Sequence, residues 1–250
     1  MKKQDILYGI HPVREAIQAG RRHISAILFA PGKLPERLAR IRELALEKRI
    51  PVETAPVDRL GTLAKSDRHQ GVIAESDVFE TVPLETLFES IDAGSPPPLF
   101  LIADSITDPM NFGALIRTAL AVGITGVIAP KDRCAPPTPT VSSASAGALE
   151  HIKFAQVTNL VRTLGILQKK GIWVFGLDHQ AEQDLFHSDF TGPAALVIGG
   201  EGKGIRPLVK KSCDYLVSIP QHGPVASLNA SVAGAVVMYE AFRQRKDNVS

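Results

Sequence analysis

The chain has few cysteines and no long apolar segment. Both features limit the classes of protein to which it can belong. Its only cysteines, Cys134 and Cys213, stand far apart with no CxxC pair. This excludes a disulfide framework and a cysteine-based zinc site, and it predicts two ordinary semi-buried thiols. No apolar run approaches the roughly 20 residues that a membrane-spanning helix needs. The first residues, MKKQDILYGI, lack the apolar core of a signal peptide. We therefore predict a soluble, cytoplasmic protein with no membrane partner.

Basic residues are concentrated in the first part of the chain, although the net charge of all 250 residues is only +2. Residues 1–70 hold fourteen lysines and arginines against eight acidic residues, a net charge of +6, and the remainder carries −4. A basic first domain suits a polyanion such as RNA. A solvated surface that happens to be basic is the alternative.

Residues 1–80 alternate between helical and strand patterns, which predicts a compact α/β/α domain. Three short helices are expected, two of them at HPVREAIQAG and LPERLARIRELALEKR. ISAILFA and HQGVIAES have the apolar character of buried strands. This domain could bind RNA or a ribosomal protein, and Arg21 and Arg22, as candidate RNA contacts, are a pair whose substitution by Glu would separate the two roles.

Residues 81–98 are predicted to be a linker, because DAGSPPP at its end cannot continue a helix or a strand. A weak helix, LETLFESI, precedes that stretch. From Leu99 onward, helical stretches alternate with six apolar runs: LFLIADS, GVIAP, HIKFAQV, IWVFGLD, AALVIGG and YLVSIP. This alternation predicts an α/β domain over residues 99–250, with a mainly parallel sheet covered on both faces.

Ligands of parallel sheets collect in the loops that follow the strands, and three such loops are unusual here. In DSITDPMNFGALIRTAL, Asp108 and Pro109 form a turn, Asn111 lies near a helix start and Arg117 lies two turns further on. VIGGEGKGI combines four glycines with Glu201. The third loop, in IPQHGPVASLNAS, interrupts an apolar run with several small polar residues.

The glycine loop matches no nucleotide-binding pattern. A Walker loop needs Lys and then Ser or Thr after its last glycine, but Gly204 is followed by Ile205 and Arg206. The third glycine of a GxGxxG motif would fall at Ile205. A flat backbone wall for another ligand is the functional interpretation, and a simple tight turn is the alternative.

Together the three loops resemble the signature motifs of the SpoU/TrmH branch of the SPOUT RNA methyltransferases. The matching residues are Asp108, Pro109, Asn111, Gly113 and Arg117 in the first motif, Gly199, Glu201 and Gly204 in the second, and Ile219, Pro220, Ser227, Leu228, Asn229 and Ser231 in the third. SSASAGALEHI resembles a helix of the same family. The chain departs from the common pattern at Gly200, Gln221, His222 and Ala230.

The resemblance also covers the N-terminal domain, because YGIHPVREAI and HQGVIA are similar to the ends of an L30e-like RNA-binding domain. It implies an L30e-like domain over residues 1–80 and a SPOUT catalytic domain over residues 99–250. It further implies a C-terminal trefoil knot and a homodimer. Knots are rare, and periodicity alone predicts a plain doubly wound sheet.

The activity implied by the resemblance is methyl transfer from S-adenosylmethionine to a ribose 2′-hydroxyl of RNA, with a guanosine of 23S ribosomal RNA as the favoured target. Backbone around Gly199, Ile219 and Leu228 would hold the cofactor. The catalytic candidates are Arg117, Asn111, Glu201, Ser227 and Asn229. No metal is expected, because the sulfonium methyl is already activated.

Each catalytic candidate has an alternative role. A guanidinium stays protonated in proteins, so we expect Arg117 to bind a phosphate or the hydroxyl rather than act as a base. Asn111 would hold the ribose or aim Arg117, and Glu201 would pair with Arg117 or with the substrate. Ser227 and Asn229 would form a polar floor or would cap a turn or helix.

Two further functions stay open at this point. One is a transfer-RNA ribose 2′-O-methyltransferase, and the other is a non-catalytic RNA-binding ribosome assembly factor. The histidines near the motifs, His151 and His222, are expected to be surface and loop residues.

Overall fold

The computed structural model describes residues 4–89, 91, 96–223 and 227–247. Its contacts divide the chain into two units, Met1–Glu80 with Pro137–His151, and Thr81–Pro136 with Ile152–Ser250. Segment 137–151 therefore packs with the first unit, although it lies within residues 99–250 in the chain. The domain boundaries expected at residues 80 and 98 stay predictions, and residues 92–95 of the expected linker lie outside the described part.

The first unit is built on a four-stranded sheet with the order β1-β4-β2-β3. Strand β4 pairs antiparallel with β1 and β2, whereas β2 and β3 are parallel. Its elements are β1 (Gln4–Tyr8), α1 (Ile10–Ala19), β2 (Ile24–Phe29), α2 (Glu36–Glu47), β3 (Val52–Thr54), α3 (Val57–Ala64) and β4 (Val72–Asp77). The three expected helices and both expected strands are confirmed, while β1 and β3 were not predicted.

Helices cover both faces of this sheet, which confirms the α/β/α arrangement. Helices α1 and α2 bury residues such as Val13 and Ile41 against one face, in the same cluster as Ile27. Helix α3 places Leu60 against the other face, in a cluster with Leu28. Ile27 and Leu28 are neighbours in β2, and successive strand residues point to opposite faces.

Segment 137–151 forms less helix than the family resemblance of SSASAGALEHI implies. Helix α5 (Pro139–Ala144) ends before Ala146 and Gly147, whose φ values of 52° and 84° are left-handed. A Cβ atom added to Gly147 would lie 2.6 Å from the Cβ atom of Glu15. The expected SSASAGALEHI helix is therefore broken at this glycine, and only a single helical turn, Ala148–Glu150, follows.

A buried ion pair fastens this segment within the first unit. Arg22 donates from Nε to Oε2 of Glu150 at 2.7 Å and from Nη2 to Oε1 at 3.0 Å. The exposed fractions of the two side chains are only 2% and 1%. Asp5 accepts a further bond from Arg22, and Ser142 donates to Glu150. Arg22 is therefore wrong as a candidate RNA contact, whereas its neighbour Arg21 is exposed.

The second unit contains a seven-stranded sheet with the order β7-β6-β5-β10-β8-β11-β9. Every pair of neighbouring strands is parallel. The strands are β5 (Leu99–Asp104), β6 (Gly126–Pro130), β7 (Phe154–Val157), β8 (Trp173–Leu177), β9 (Gln183–Asp184), β10 (Ala194–Gly199) and β11 (Tyr215–Ser218). The six expected strands are confirmed, and β9 was not predicted.

Among the described residues, four helices complete the second unit: α4 (Pro109–Ala121), α6 (Leu160–Lys169), α7 (Pro207–Lys211) and α8 (Ala230–Asp247). The weak helix expected at LETLFESI is only a single turn, Leu84–Leu87, and Ser90 of that stretch lies outside the described residues. No helix in the described part of the chain is long and apolar enough to span a membrane.

Small residues let α8 approach its neighbours closely. A Cβ atom on Gly234 would lie 2.2 Å from Cδ2 of Leu115 in α4 and 3.6 Å from Cγ1 of Ile198 in β10. Helix α8 therefore packs directly against α4 and β10. The trefoil knot is not defined by the strand order and stays a prediction.

The Arg22–Glu150 pair should contribute strongly to stability. With Glu150→Gln, we expect the free energy of unfolding in urea to fall by about 3 kcal/mol, because a buried guanidinium loses its main counter-charge. Glu36→Gln is the matched control, since Glu36 forms an exposed pair with Arg40 and should change stability little. Equal effects of the two substitutions would contradict the structural role of the buried pair.

Candidate active site

The loop after β5 positions Asn111 and Arg117 through a capped helix start. The Asp108 carboxylate accepts hydrogen bonds from the N–H groups of Met110 at 3.1 Å and Asn111 at 3.2 Å. Pro109 occupies the first turn of α4, where its missing N–H has no cost. This confirms the expected turn. Arg117 lies on the exposed side of α4 and has no hydrogen bond or ion pair with any described residue.

The glycine loop after β10 is a tight turn. The N–H of Gly204 donates to the carbonyl of Gly200 at 3.0 Å, and Gly202 and Gly204 have φ values of 78° and 61°. A Cβ atom on Gly199 would lie 2.1 Å from the carbonyl carbon of Gly204. Only glycine fits at position 199, because the backbone of Gly204 lies too close for a Cβ atom and cannot move aside as a side chain can.

A buried carboxylate that was not predicted holds the end of this loop. Asp104, the last residue of β5, is fully buried. It accepts hydrogen bonds from the backbone N–H of Arg206 at 2.8 Å and from its Nε at 2.6 Å. The signal was present in the sequence, since an acidic residue ends the otherwise apolar run LFLIAD and a buried charge needs a partner.

Asn229 caps the last helix. Its Oδ1 accepts hydrogen bonds from the N–H groups of Ser231 at 2.9 Å and Val232 at 3.3 Å, and from the Ser231 hydroxyl. The capping alternative is therefore confirmed for Asn229. Ser227 is exposed and makes no hydrogen bond with a described residue, while residues 224–226 lie outside the described part.

Glu201 brings the three loops together. Its Oε1 accepts a hydrogen bond from Nδ2 of Asn111 at 2.7 Å and another from Nδ2 of Asn229 at 2.6 Å. Nδ2 of Asn229 also lies 3.0 Å from Oδ1 of Asn111. Bonds to an ionised acceptor are stronger than neutral ones. Glu201 therefore pairs with the two asparagines, and not with Arg117.

A cavity of about 800 Å³ lies beside this cluster. It brings together the three residues expected to bind the cofactor, Gly199, Ile219 and Leu228, and it also includes Glu201, Ser227 and Asn229. Asn111 and Arg117 do not line it. One wall of the cavity was not predicted, because the loop that forms it carries no motif in the sequence. It consists of Leu177 at the end of β8 and of the following residues Asp178, His179 and Gln180.

The unpredicted wall contains a fixed ion pair. Burial alone would raise the pKa of Asp178, but hydrogen bonds from Lys210 and from the N–H of Gln180 hold that pKa below its ordinary value. Nζ of Lys210 lies 2.5 Å from Oδ2 of Asp178. The Asp178 carboxylate therefore stays ionised, and its negative charge is balanced by the positive charge of Lys210.

The remaining candidate groups lie elsewhere. His151 contacts Oε2 of Glu15 at 2.8 Å in the first unit, and His222 is exposed. Both cysteines are free thiols, Cys134 buried and Cys213 half-buried, as expected of ordinary semi-buried thiols, and burial raises the pKa of each to about 12. Among the described residues, no group of three or more His, Cys, Asp or Glu side chains could hold a metal.

Comparison with known proteins identifies both parts of the chain. Residues 98–239 match the SpoU rRNA Methylase family, and residues 6–82 match the family described as RNA 2′-O ribose methyltransferase substrate binding.

Two relatives and one solved structure illustrate the similarity. The 23S rRNA (guanosine-2′-O-)-methyltransferase RlmB of Pseudomonas putida is 42% identical over 98% of this chain and 99% of its own length. The putative TrmH family tRNA/rRNA methyltransferase YacO of Bacillus subtilis is 40% identical over 98% and 97%. The SpoU methyltransferase AviRb of Streptomyces viridochromogenes, solved with the cofactor AdoMet, superimposes with a TM-score of 0.80 at 27% identity, over 98% of this chain and 91% of its own.

Proposed function

Because the chain belongs to the SpoU rRNA methylase family, we propose that it transfers a methyl group from S-adenosylmethionine to the 2′-hydroxyl of a guanosine in 23S ribosomal RNA. The observation that carries this proposal is the Asn111–Glu201–Asn229 cluster at the edge of the 800 Å³ cavity. The full-length similarity to RlmB supports the substrate. Such an enzyme would act in the cytoplasm.

S-adenosylmethionine suits the chemistry of the cavity. Small-molecule sites are mostly apolar, with a few polar groups, and commonly enclose about 300–1,000 Å³. Here Ile198, Ile219 and Leu228 supply apolar surface for a flat base, and the backbone near Gly199 supplies polar groups for its edge. When bound, the cofactor supplies a methyl group already activated on a sulfonium. The AdoMet complex of AviRb supports this assignment.

Arg117 would act on the RNA rather than on the cofactor. Its guanidinium is exposed, has no partner among the described residues and does not line the cavity. Since it stays protonated, it cannot accept the hydroxyl proton. Contact with the neighbouring phosphate or with the 2′-oxygen would stabilise negative charge as it develops there. The proton would then pass to a phosphate oxygen or to water.

The asparagine–glutamate cluster would orient the ribose. Glu201 fixes the amides of Asn111 and Asn229 at the edge of the cavity. Ser227, with no bond to a described residue, is available to contact the ribose hydroxyls. Positioning of this kind accounts for much of enzymatic catalysis, because it removes the entropy cost of bringing reactants together.

A homodimer is also part of the proposal. Helices α4 and α8 expose large apolar side chains, among them Met110, Leu120, Val232, Tyr239 and Phe242, with exposed fractions between 39% and 54%. Exposed apolar surface of this kind commonly marks an interface, and the Tyr239 and Phe242 rings already contact each other.

We expect a dimer in sedimentation equilibrium at micromolar concentration, and a monomer for Tyr239→Glu. A monomeric native protein would contradict this part of the proposal.

Transfer RNA is the second candidate substrate, because the name of YacO covers both kinds of RNA. The match of residues 6–82 to a substrate-binding family favours neither kind by itself. Assays on both RNAs separate the two candidates.

The proposal predicts a specific defect for Arg117→Ala. With labelled S-adenosylmethionine and unmodified 23S ribosomal RNA, the native protein should yield label as 2′-O-methylguanosine. Loss of one charge-stabilising group should lower kcat roughly 100-fold or more. The affinity for S-adenosylmethionine, measured by calorimetry, should stay within about twofold, since Arg117 lies outside the cavity.

Arg162→Ala is the matched control, because Arg162 is another exposed helical arginine of the second unit. It should transfer methyl groups like the native protein. Label recovered only in transfer RNA would favour the second substrate. A native protein that neither binds S-adenosylmethionine nor transfers label would support the non-catalytic assembly factor instead.

A further inference from the structure

The first unit contains a cavity lined mainly by basic side chains. It encloses about 320 Å³ and is lined by Ile10, His11, Arg14, Arg37 and Arg40. Helix α1 supplies the first three residues and α2 supplies the other two. None of the five is acidic, so three guanidinium groups and an imidazole face one small space.

The two arginines of α2 are available to a ligand. Arg37 is exposed and has no hydrogen bond or ion pair with any described residue. Arg40 pairs with Glu36, but both side chains are more than 70% exposed. Pairs this exposed contribute little free energy and exchange readily for another anion.

Arg14 is held more firmly at the same cavity. Its Nε donates to Oε1 of Glu15 at 2.9 Å. Glu15 in turn contacts His151 at 2.8 Å, which fixes the carboxylate from its other oxygen. The Nη1 donors of Arg14 have no partner among the described residues. This guanidinium is therefore pre-positioned and still has free N–H groups.

The opposite face of the unit lacks this concentration of positive charge. A cavity of about 450 Å³ beside α3 is lined by Asp58 and Asp67 as well as by Lys65 and His69. Since α1 and α2 cover one face of the sheet and α3 covers the other, the two cavities lie on opposite faces and differ in the charge of their lining. A phosphate group would be drawn to the arginine-lined cavity.

We propose that the arginine cavity between α1 and α2 binds backbone phosphates of the RNA substrate. This inference rests on the proposed function and assigns part of the RNA-binding surface to the first unit. Arginine forks match phosphate geometry and bind it in a bidentate manner. All five lining residues lie within residues 6–82, the part similar to the substrate-binding family. Phosphate contacts position an RNA without reading its sequence, so base selection would lie elsewhere.

The test compares the full-length double variant Arg37→Ala, Arg40→Ala with a control double variant, Arg42→Ala, Arg59→Ala. The control also removes two exposed arginines of the first unit, one of them from α2, but neither lines the cavity. The dissociation constant for unmodified 23S ribosomal RNA is measured across a series of potassium chloride concentrations. Circular dichroism establishes that both variants are folded.

We expect the cavity variant to bind RNA about tenfold or more weakly and to have a shallower salt dependence, by roughly 0.7–0.9 in slope for each phosphate that the variant no longer neutralises. Its KM for RNA should rise, while kcat and the affinity for S-adenosylmethionine stay unchanged. The control variant should behave like the native protein. Equal salt slopes in the two variants would overturn the proposal.

Two further outcomes are decisive. Tight calorimetric binding of inorganic phosphate alone, lost in the cavity variant while RNA affinity is kept, would assign the cavity to a free phosphate ligand and overturn the RNA proposal. A native protein that transfers no methyl group, but binds RNA through the cavity with the expected salt slope, would refute the proposed function and support the cavity.

Discussion

The site depends on one carboxylate that is shared by three distant parts of the chain. Asn111 follows β5, Glu201 follows β10 and Asn229 precedes α8, yet both amides donate to the same oxygen of Glu201. The loops that follow parallel strands lie at one edge of the sheet, but the strand order alone does not connect these loops to one another. The charge-assisted bonds to Glu201 make that connection beside the 800 Å³ cavity.

Burial separates structural charges from functional ones throughout the protein. Arg22 and Arg206 each bond a buried carboxylate, Glu150 or Asp104, and fasten one piece of chain to another. Arg37 and Arg117 are exposed and lack a partner among the described residues. Arginine thus connects distant parts of the chain where it is paired with a buried carboxylate, because an unpaired buried charge would be costly, and the exposed arginines are the ones that we propose as contacts for phosphate.

Local patterns predicted most of the fold, and long-range contacts account for what they missed. The six longer strands of the second unit are continuous apolar runs, whereas β3 and β9 are too short to show a pattern. Periodicity could not tell exposed Arg21 from buried Arg22, because the difference depends on Glu150. In the site, the family motifs identified Asn111, Glu201 and Asn229, but their shared bonding is visible only in three dimensions.

We expect Glu201 and its two asparagines to work as one unit in methyl transfer. A double-mutant cycle with Asn111→Ala and Glu201→Gln, measured as kcat/KM on 23S ribosomal RNA, detects this coupling. The double variant should be little worse than either single variant, with a coupling of about 1 kcal/mol or more. Fully additive losses would show that the residues act independently.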